Sequence, residues 1–456
     1  MKESPELARR LGPWDAALVT IGSVLGTGIF ITTGDMARTL PHQGLILVAW
    51  LVGGVLTLAG ALTYAELGAL FPRAGGQYVF LKEAYGPLWG FLFGWAAFTV
   101  IQGGGIATLA VGFGEYLGAF LPFFSTRHVL LAAGGWSVNG GQLAGALGIV
   151  FLTVINYLGV REGAGLQNVV TIVKIGSLVG LAVFGLLGPA PQQPRLFAPV
   201  AGDITWAAFG VAMIAVLWSY DGWYAPTNLA GEMRRPERDL PIGLLTGTLA
   251  VTLLYVLMNL VYARALTVEQ MAASPRIGEA SAAILFGPGG ARLITAAVLV
   301  STFGCISSTI LYAARIYLPM AQDGVFFPAL AKVHPRYRTP SACILAQGSW
   351  AALLTFSGTY EQLYTYVTFV IVLFHAATGA AVFVLRRTRP DAPRPYRVWG
   401  YPLVPAVFIL PSLALVANTL AERPREALFG VVILVLGLPA YAWWRRSGRE
   451  AGAGPA

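Results

Sequence analysis

Charge is scarce in this sequence. Only 11% of its 456 residues are Asp, Glu, Lys or Arg and 56% are hydrophobic, whereas a soluble domain carries about 25% charged residues. A water-solvated body is thereby excluded. Cysteine is nearly missing: Cys305 and Cys343 are the two present, both inside apolar runs, so neither a disulfide framework nor a paired-cysteine metal site is available. The four histidines are scattered, with no metal-ligand spacing and no nucleophile motif, which argues against a membrane enzyme and against a metal or other cofactor. The first apolar run has no short core followed by a small-residue cleavage site, so no cleavable signal peptide is expected. The net charge of +9 comes from short basic clusters between apolar runs, a pattern of membrane topology rather than of nucleic-acid binding.

What is abundant is apolar length and glycine. Stretches of about 20 apolar residues, enough to cross roughly 30 Å of hydrocarbon, recur from end to end with no gap the size of a soluble domain. They predict an all-α polytopic membrane protein, one transporter domain over 1–456. Twelve transmembrane helices are expected, near 13–37, 43–70, 87–119, 141–159, 163–188, 205–231, 241–264, 289–318, 341–356, 359–385, 402–420 and 427–444. The apolar stretch 127–135 is too short to span. Counting Lys and Arg on alternate connections puts 20 on one side, from Lys2 and Arg161 to Arg449, and 8 on the other. That bias predicts a multi-pass inner-membrane protein with both termini cytoplasmic.

Two spans look broken. The first reads IGSVLGTGIF, with Gly22, Ser23, Gly26 and Gly28 at its centre; glycine costs about 1 kcal/mol against alanine in a helix interior, so this backbone is disposed to open. Opened amides at Gly26, Thr27 and Gly28 would need a cavity or a ligand carboxylate, aided by the positive end of the half-helix that follows. The alternative is a close helix crossing. The sixth span reads LWSYDGWYAPTNLAGEM and places Ser219, Asp221, Gly222 and Pro226 in mid-membrane. Proline there frees a carbonyl about one turn back, and the carbonyls of Trp218, Ser219 and Tyr220 would accept the hydrogens of an ammonium group. Amides on one side and carbonyls on the other suit a zwitterionic amino acid. Trp218 is expected to contact or cap it. Gly103, Gly104 and Gly105 either leave room for its side chain or let another helix approach.

Ionisable residues are few inside these spans. Lys174, central in the fifth, costs about 3 kcal/mol to insert, so a role is expected of it. Its expected partners are opened carbonyls near Gly22 and the hydroxyls of Ser307 and Ser308. Either it exchanges a proton during a cycle or it stands permanently in place of a cation. Asp221 either caps freed amides or meets the ligand's amine. Glu66 is expected to anchor an inner gate with nearby arginines, and His375 to be a satisfied packing histidine on an apolar face, with titration during transport as the alternative.

The ordered set GSVLGTGIF, YAELGALFPRAGGQYVFLKEAYG, AGEMRRPERDLP, MAQDGVFFPALAKVHPRYRTP and PRPYRVWGYP resembles the amino acid, polyamine and organocation transporter superfamily, most closely its L-type and related bacterial permeases. The resemblance covers essentially the whole chain. It implies a five-plus-five inverted repeat of the leucine-transporter type, 13–188 and 205–385, with discontinuous helices one and six and two additional helices over 402–444. It also implies alternating access, a carboxylate site on Gly26, Thr27 and Gly28, an ammonium site on the sixth-helix carbonyls and an aromatic gate at Trp218. Lys174 resembles the lysine that occupies the place of sodium in sodium-independent members. The expected activity is therefore sodium-independent transport of neutral L-amino acids, by proton symport or by exchange. Cationic amino acid or polyamine exchange is the alternative that Asp221 keeps open. L-type transporters of animals join a glycoprotein through a cysteine between the third and fourth spans; 120–140 has none, so no disulfide-linked subunit is expected. The partners implied are the amino acid, the bilayer and, if coupled, a proton.

Overall fold

The computed structural model describes residues 9–133, 136–158, 160–189, 191–199 and 204–452, and within these the side chains of all but 133, 136, 160–169 and 447–452. Lys2 and the side chains of Arg161 and Arg449, used in the charge count, lie outside them.

Among the described residues the chain is mostly helical. The first expected span is a pair, α1 (Pro13–Val24) and α2 (Gly28–Thr39), bent by 44°. Then come α3 (Gln43–Leu70), α4 (Gln77–Tyr85), α5 (Pro87–Ala96), a five-residue π-turn (Ala97–Ile101) and α6 (Gln102–Leu117). The short apolar stretch is a hairpin, Val129–Ala133 paired antiparallel with Trp136–Asn139. It leads into α7 (Gly140–Leu158) and α8 (Val160–Leu187). The sixth expected span stops early as α9 (Trp206–Tyr220) and resumes as the one-turn α10 (Ala225–Asn228). The rest is α11 (Pro236–Ala265), α12 (Val268–Ala273), α13 (Ile277–Gln322), α14 (Ser341–Leu354), α15 (Tyr360–Thr388), α16 (Leu403–Glu422) and α17 (Pro424–Gly452).

Among the described residues nine helices are long and apolar enough to cross a bilayer, or ten with α1 and α2 taken as one; α9 and α14 are apolar but shorter. The eighth expected span is the last part of α13, a 46-residue helix interrupted at Gly287, whose φ is 71°. The segment before that break, with α4 and α12, was not foreseen, because helices this short lack the long apolar signature.

Apolar side chains point outward at helical spacing, as Leu147, Val150, Phe151 and Val154 do on α7. Such rows would be costly against water and suit lipid. Inside, α11 packs on α1 and α3, α13 on α6 and α8, α15 on α6 and α16, and α2 on α9. The two breaks meet at the centre of this packing.

Candidate functional site

The opened end of α1 exposes four carbonyls, and each is met by a donor from another helix. Lys174 Nζ on α8 donates to the Gly22 carbonyl at 3.0 Å, Cys305 Sγ on α13 to Ser23 at 3.0 Å, Tyr255 Oη on α11 to Val24 at 3.1 Å, and Ser301 Oγ on α13 to Leu25 at 2.9 Å. A helix C-terminus leaves its last carbonyls unpaired and carries partial negative charge, so a buried ammonium there is favourably placed. Lys174 therefore finds one of its three expected partners. The two serines are engaged elsewhere: Ser307 Oγ accepts from Asn156, and Ser308 Oγ lies 3.0 Å from Ser23 Oγ.

The break is narrower than the glycines suggested. The Gly26 amide donates to the Val24 carbonyl at 2.8 Å, closing a tight turn about Leu25, so it is not free for a ligand. Thr27 and Gly28 begin α2, where the first amides of a helix have no partner within it. Thr27 Oγ1 is 2.9 Å from Tyr360 Oη and does not line the cavity. Gly28 lies against α9: a Cβ at this position would come within 2.8 Å of Ser219 Cα, so the close helix crossing and the opened backbone coexist.

At the second break Asp221 ends α9 with φ −58° and ψ 151°, and Gly222 follows with φ 96°. That left-handed conformation favours glycine. The carbonyls expected to be free are partly engaged. Trp218 accepts from the Asp221 amide at 3.0 Å, and the Ser219 carbonyl lies 2.9 Å from Tyr255 Oη, whose single proton it shares with the Val24 carbonyl. Pro226 frees the Gly222 carbonyl, which the Ala225 amide takes at 3.0 Å. A carbonyl has two lone pairs, so one acceptance does not close it. Tyr220 turns away, donating to the Trp50 carbonyl at 3.2 Å.

Between the breaks is a central cavity of about 30 Å³. Ser23, Gly26, Gly28, Trp218, Ser219, Asp221 and Gly222 line it, together with Gln102, Gly105, Leu109, Cys305, Thr309 and Tyr312. Of the expected contacts, Thr27 and Tyr220 are outside this lining, as are Gly22, Lys174, Ser307 and Ser308. The glycine triplet divides: Gly103 packs toward Trp350 and Gly104 toward Val367, whereas a Cβ at Gly105 would meet the Trp218 ring at 3.9 Å, an ordinary van der Waals contact.

The cavity is closed on both sides. Towards the face remote from the N-terminus, Trp218 Nε1 donates to Tyr360 Oη at 3.0 Å and the Trp218 ring stacks on Tyr364. Beyond Tyr360 opens a vestibule of about 880 Å³ walled by Asp35, Glu115 and Glu361 among others. On the N-terminal face the chain before α1 is laced to the loop after α10, the amides of Arg10 and Leu11 donating to the Glu232 carbonyl at 2.8 and 3.0 Å. The Glu232 side chain is paired with Arg315, which is 1% exposed. Glu66 accepts from Arg386 at 2.9 and 2.7 Å and from the Val398 amide at 2.7 Å, fastening α3 to the end of α15.

Sequence reasoning missed Tyr360, Tyr255 and the Arg315–Glu232 pair. Arg315 was visible as a charge inside an apolar run, and Tyr255 as a hydroxyl in mid-span that needs a partner. Tyr360 begins its helix, where a tyrosine also suits the membrane interface. Among the described residues no three His, Cys, Asp or Glu side chains gather as metal ligands.

Residues 11–436 match the family of amino acid permeases. The chain is 32% identical over 442 residues to the serine/threonine exchanger SteT of Bacillus subtilis, covering 96% of this chain and 97% of that one. It is 28% identical to the human cystine/glutamate transporter, over 96% of this chain and 86% of that one. It is also 28% identical to the mouse large neutral amino acids transporter small subunit 2, over 95% of this chain and 81% of that one. The chain is a multi-pass membrane protein of the amino acid permease family.

Proposed function

We propose that this protein is a sodium-independent secondary carrier of neutral L-amino acids that works by exchange in an alternating-access cycle. The observation that carries this reading is the central cavity, walled by the amino end of α2 and the unwound segment after α9. The free amides there suit a carboxylate, and unwound carbonyls with Asp221 suit an ammonium. Gly105 and Trp218 bound the remaining space, which favours a small side chain. The names of two relatives, a serine/threonine exchanger and a large neutral amino acids transporter, support a neutral substrate.

In this reading the nine long helices, the bent pair α1 and α2 as one span, and α9 and α14 make twelve spans arranged as repeats 13–188 and 205–385 plus the pair within 402–444, the termini in the cytoplasm of an inner membrane. Substrate enters from the vestibule when Tyr360 releases Thr27 and Trp218, and leaves when Arg315 and Glu232 part. Lys174 holds the Gly22 carbonyl as a fixed cation, so no sodium is required; proton symport is the variant in which it releases its proton. Asp221, a carboxylate at the cavity, favours a second reading, exchange of cationic amino acids or polyamines.

Counterflow in proteoliposomes loaded with serine, leucine, alanine, arginine or putrescine separates these. Serine and alanine are expected to exchange fastest. Arginine exchange with no neutral exchange overturns the first reading, and no exchange of any amino acid overturns both.

A further inference from the structure

Behind the second break lies a space that the transport cycle leaves unused. A cavity of about 20 Å³ is walled by Asp221, Trp223, His375, Thr57, Phe408 and Ser412. Asp221 Oδ1 and His375 Nε2 are both buried without a hydrogen-bond partner among the described residues, and His375 is only 6% exposed. Leaving such atoms unpaired is costly. Thr57 and Ser412 use their hydroxyl protons on the Gly53 and Phe408 carbonyls, at 2.7 and 2.6 Å, which leaves their oxygens as acceptors. A space of this size takes one water molecule, and two to four polar partners are what such a water requires. Asp221 also lines the central cavity.

We propose that this cavity binds one water molecule bridging Asp221 to His375, and that the bridge passes a proton between the carboxyl at the amino acid site and the histidine. The proposal rests on the central cavity being that site. As a proton leaves the Asp221 carboxyl for the water, another passes from the water to His375 Nε2. Neutral acid and neutral imidazole become carboxylate and imidazolium, and no proton is gained or lost. An ammonium in the central cavity favours the carboxylate, so substrate arrival drives the proton to His375 and departure returns it. The His375 ring is packed among the rings of Tyr64, Trp223, Tyr224 and Phe408, with centroids at 5.3 to 5.9 Å.

The other titratable groups facing the pair are Tyr64 on α3, Tyr220 on α9, Tyr224 beside the break, and Tyr312 and Cys305 on α13. Among the described residues no lysine, arginine or second carboxylate lines either cavity. His375 thus acts as a positioning residue that sets the charge of Asp221.

The test is infrared difference spectroscopy of the full-length protein between pH 5 and 8, with and without saturating serine, beside serine counterflow over the same range. The parent is expected to show a protonated-carboxyl band that is absent in Asp221→Asn and diminished by serine. In His375→Gln the titration of the band and the counterflow profile are both expected to move by about one pH unit. Ser412→Ala, which removes a water ligand and neither titrating group, should move the band in the same sense. Profiles of His375→Gln and Ser412→Ala that superimpose on the parent's overturn the bridge while leaving the carrier reading intact. Absence of exchange overturns the carrier reading, and the substrate-free band still decides the bridge.

Discussion

Lys174 on α8 and Gly22 on α1 are joined by a hydrogen bond of 3.0 Å between the ammonium and the carbonyl. It is one of four such bonds that hold the opened end of α1. Lys174→Ala leaves that carbonyl buried and unpaired, which costs about 1–3 kcal/mol. Thermal stability in detergent should fall and exchange should drop by at least about tenfold. A lysine that only shuttles protons predicts a different result: lost pH-gradient-driven uptake with unaltered exchange.

Tyr360 bonds both broken spans through one hydroxyl. Tyr360→Phe removes the contacts to Thr27 and Trp218 at about 1 kcal/mol each, which should open the gate towards the vestibule. Hydrogen–deuterium exchange is expected to quicken in the segments around Thr27 and Tyr360 and to stay unchanged in α16.

Gly222 has φ 96°, and a Cβ there would lie 2.8 Å from the Ser23 carbonyl oxygen. Gly222→Ala is therefore expected to cost at least about 1–2 kcal/mol and to abolish counterflow. Gly176→Ala on α8, with open space at its Cβ position, serves as the control and should leave both stability and transport near the parent's. Melting temperature and counterflow measured on the two variants check this.

Arg315 is sealed beneath the N-terminal face against Glu232, with Nη2 to Oε2 at 3.2 Å. Removing one member of a buried pair strands the other charge, so Arg315→Ala should cost about 3–5 kcal/mol. The double variant Arg315→Leu with Glu232→Leu should recover much of that loss in a thermal melt.

The helices were legible because apolar length is a strong signal: the second span runs over Gln43–Leu70 as read from the sequence, and the third, fourth and fifth differ by a few residues at their ends. Both breaks were legible from glycine and proline in mid-span. Their hydrogen bonding was not. Which donor meets which carbonyl depends on helices far apart in sequence, so nothing local told which carbonyls Tyr255 and Ser301 would meet, and the Gly26 amide was assigned to a ligand although its own chain takes it. Tyr360 escaped for the same reason, since its two partners lie 333 and 142 residues away. Lys174 was found because a buried charge stands out in any sequence.

In the proposed function both ends of an amino acid are recognised between the two breaks. The most direct test of that recognition is competition against labelled serine counterflow by serine, by ethanolamine, which lacks the carboxylate, and by glycerate, which lacks the ammonium. Serine alone is expected to compete, with the two analogues weaker by about a hundredfold or more, since each leaves one set of backbone groups unmatched. Competition by ethanolamine as strong as that by serine would contradict it.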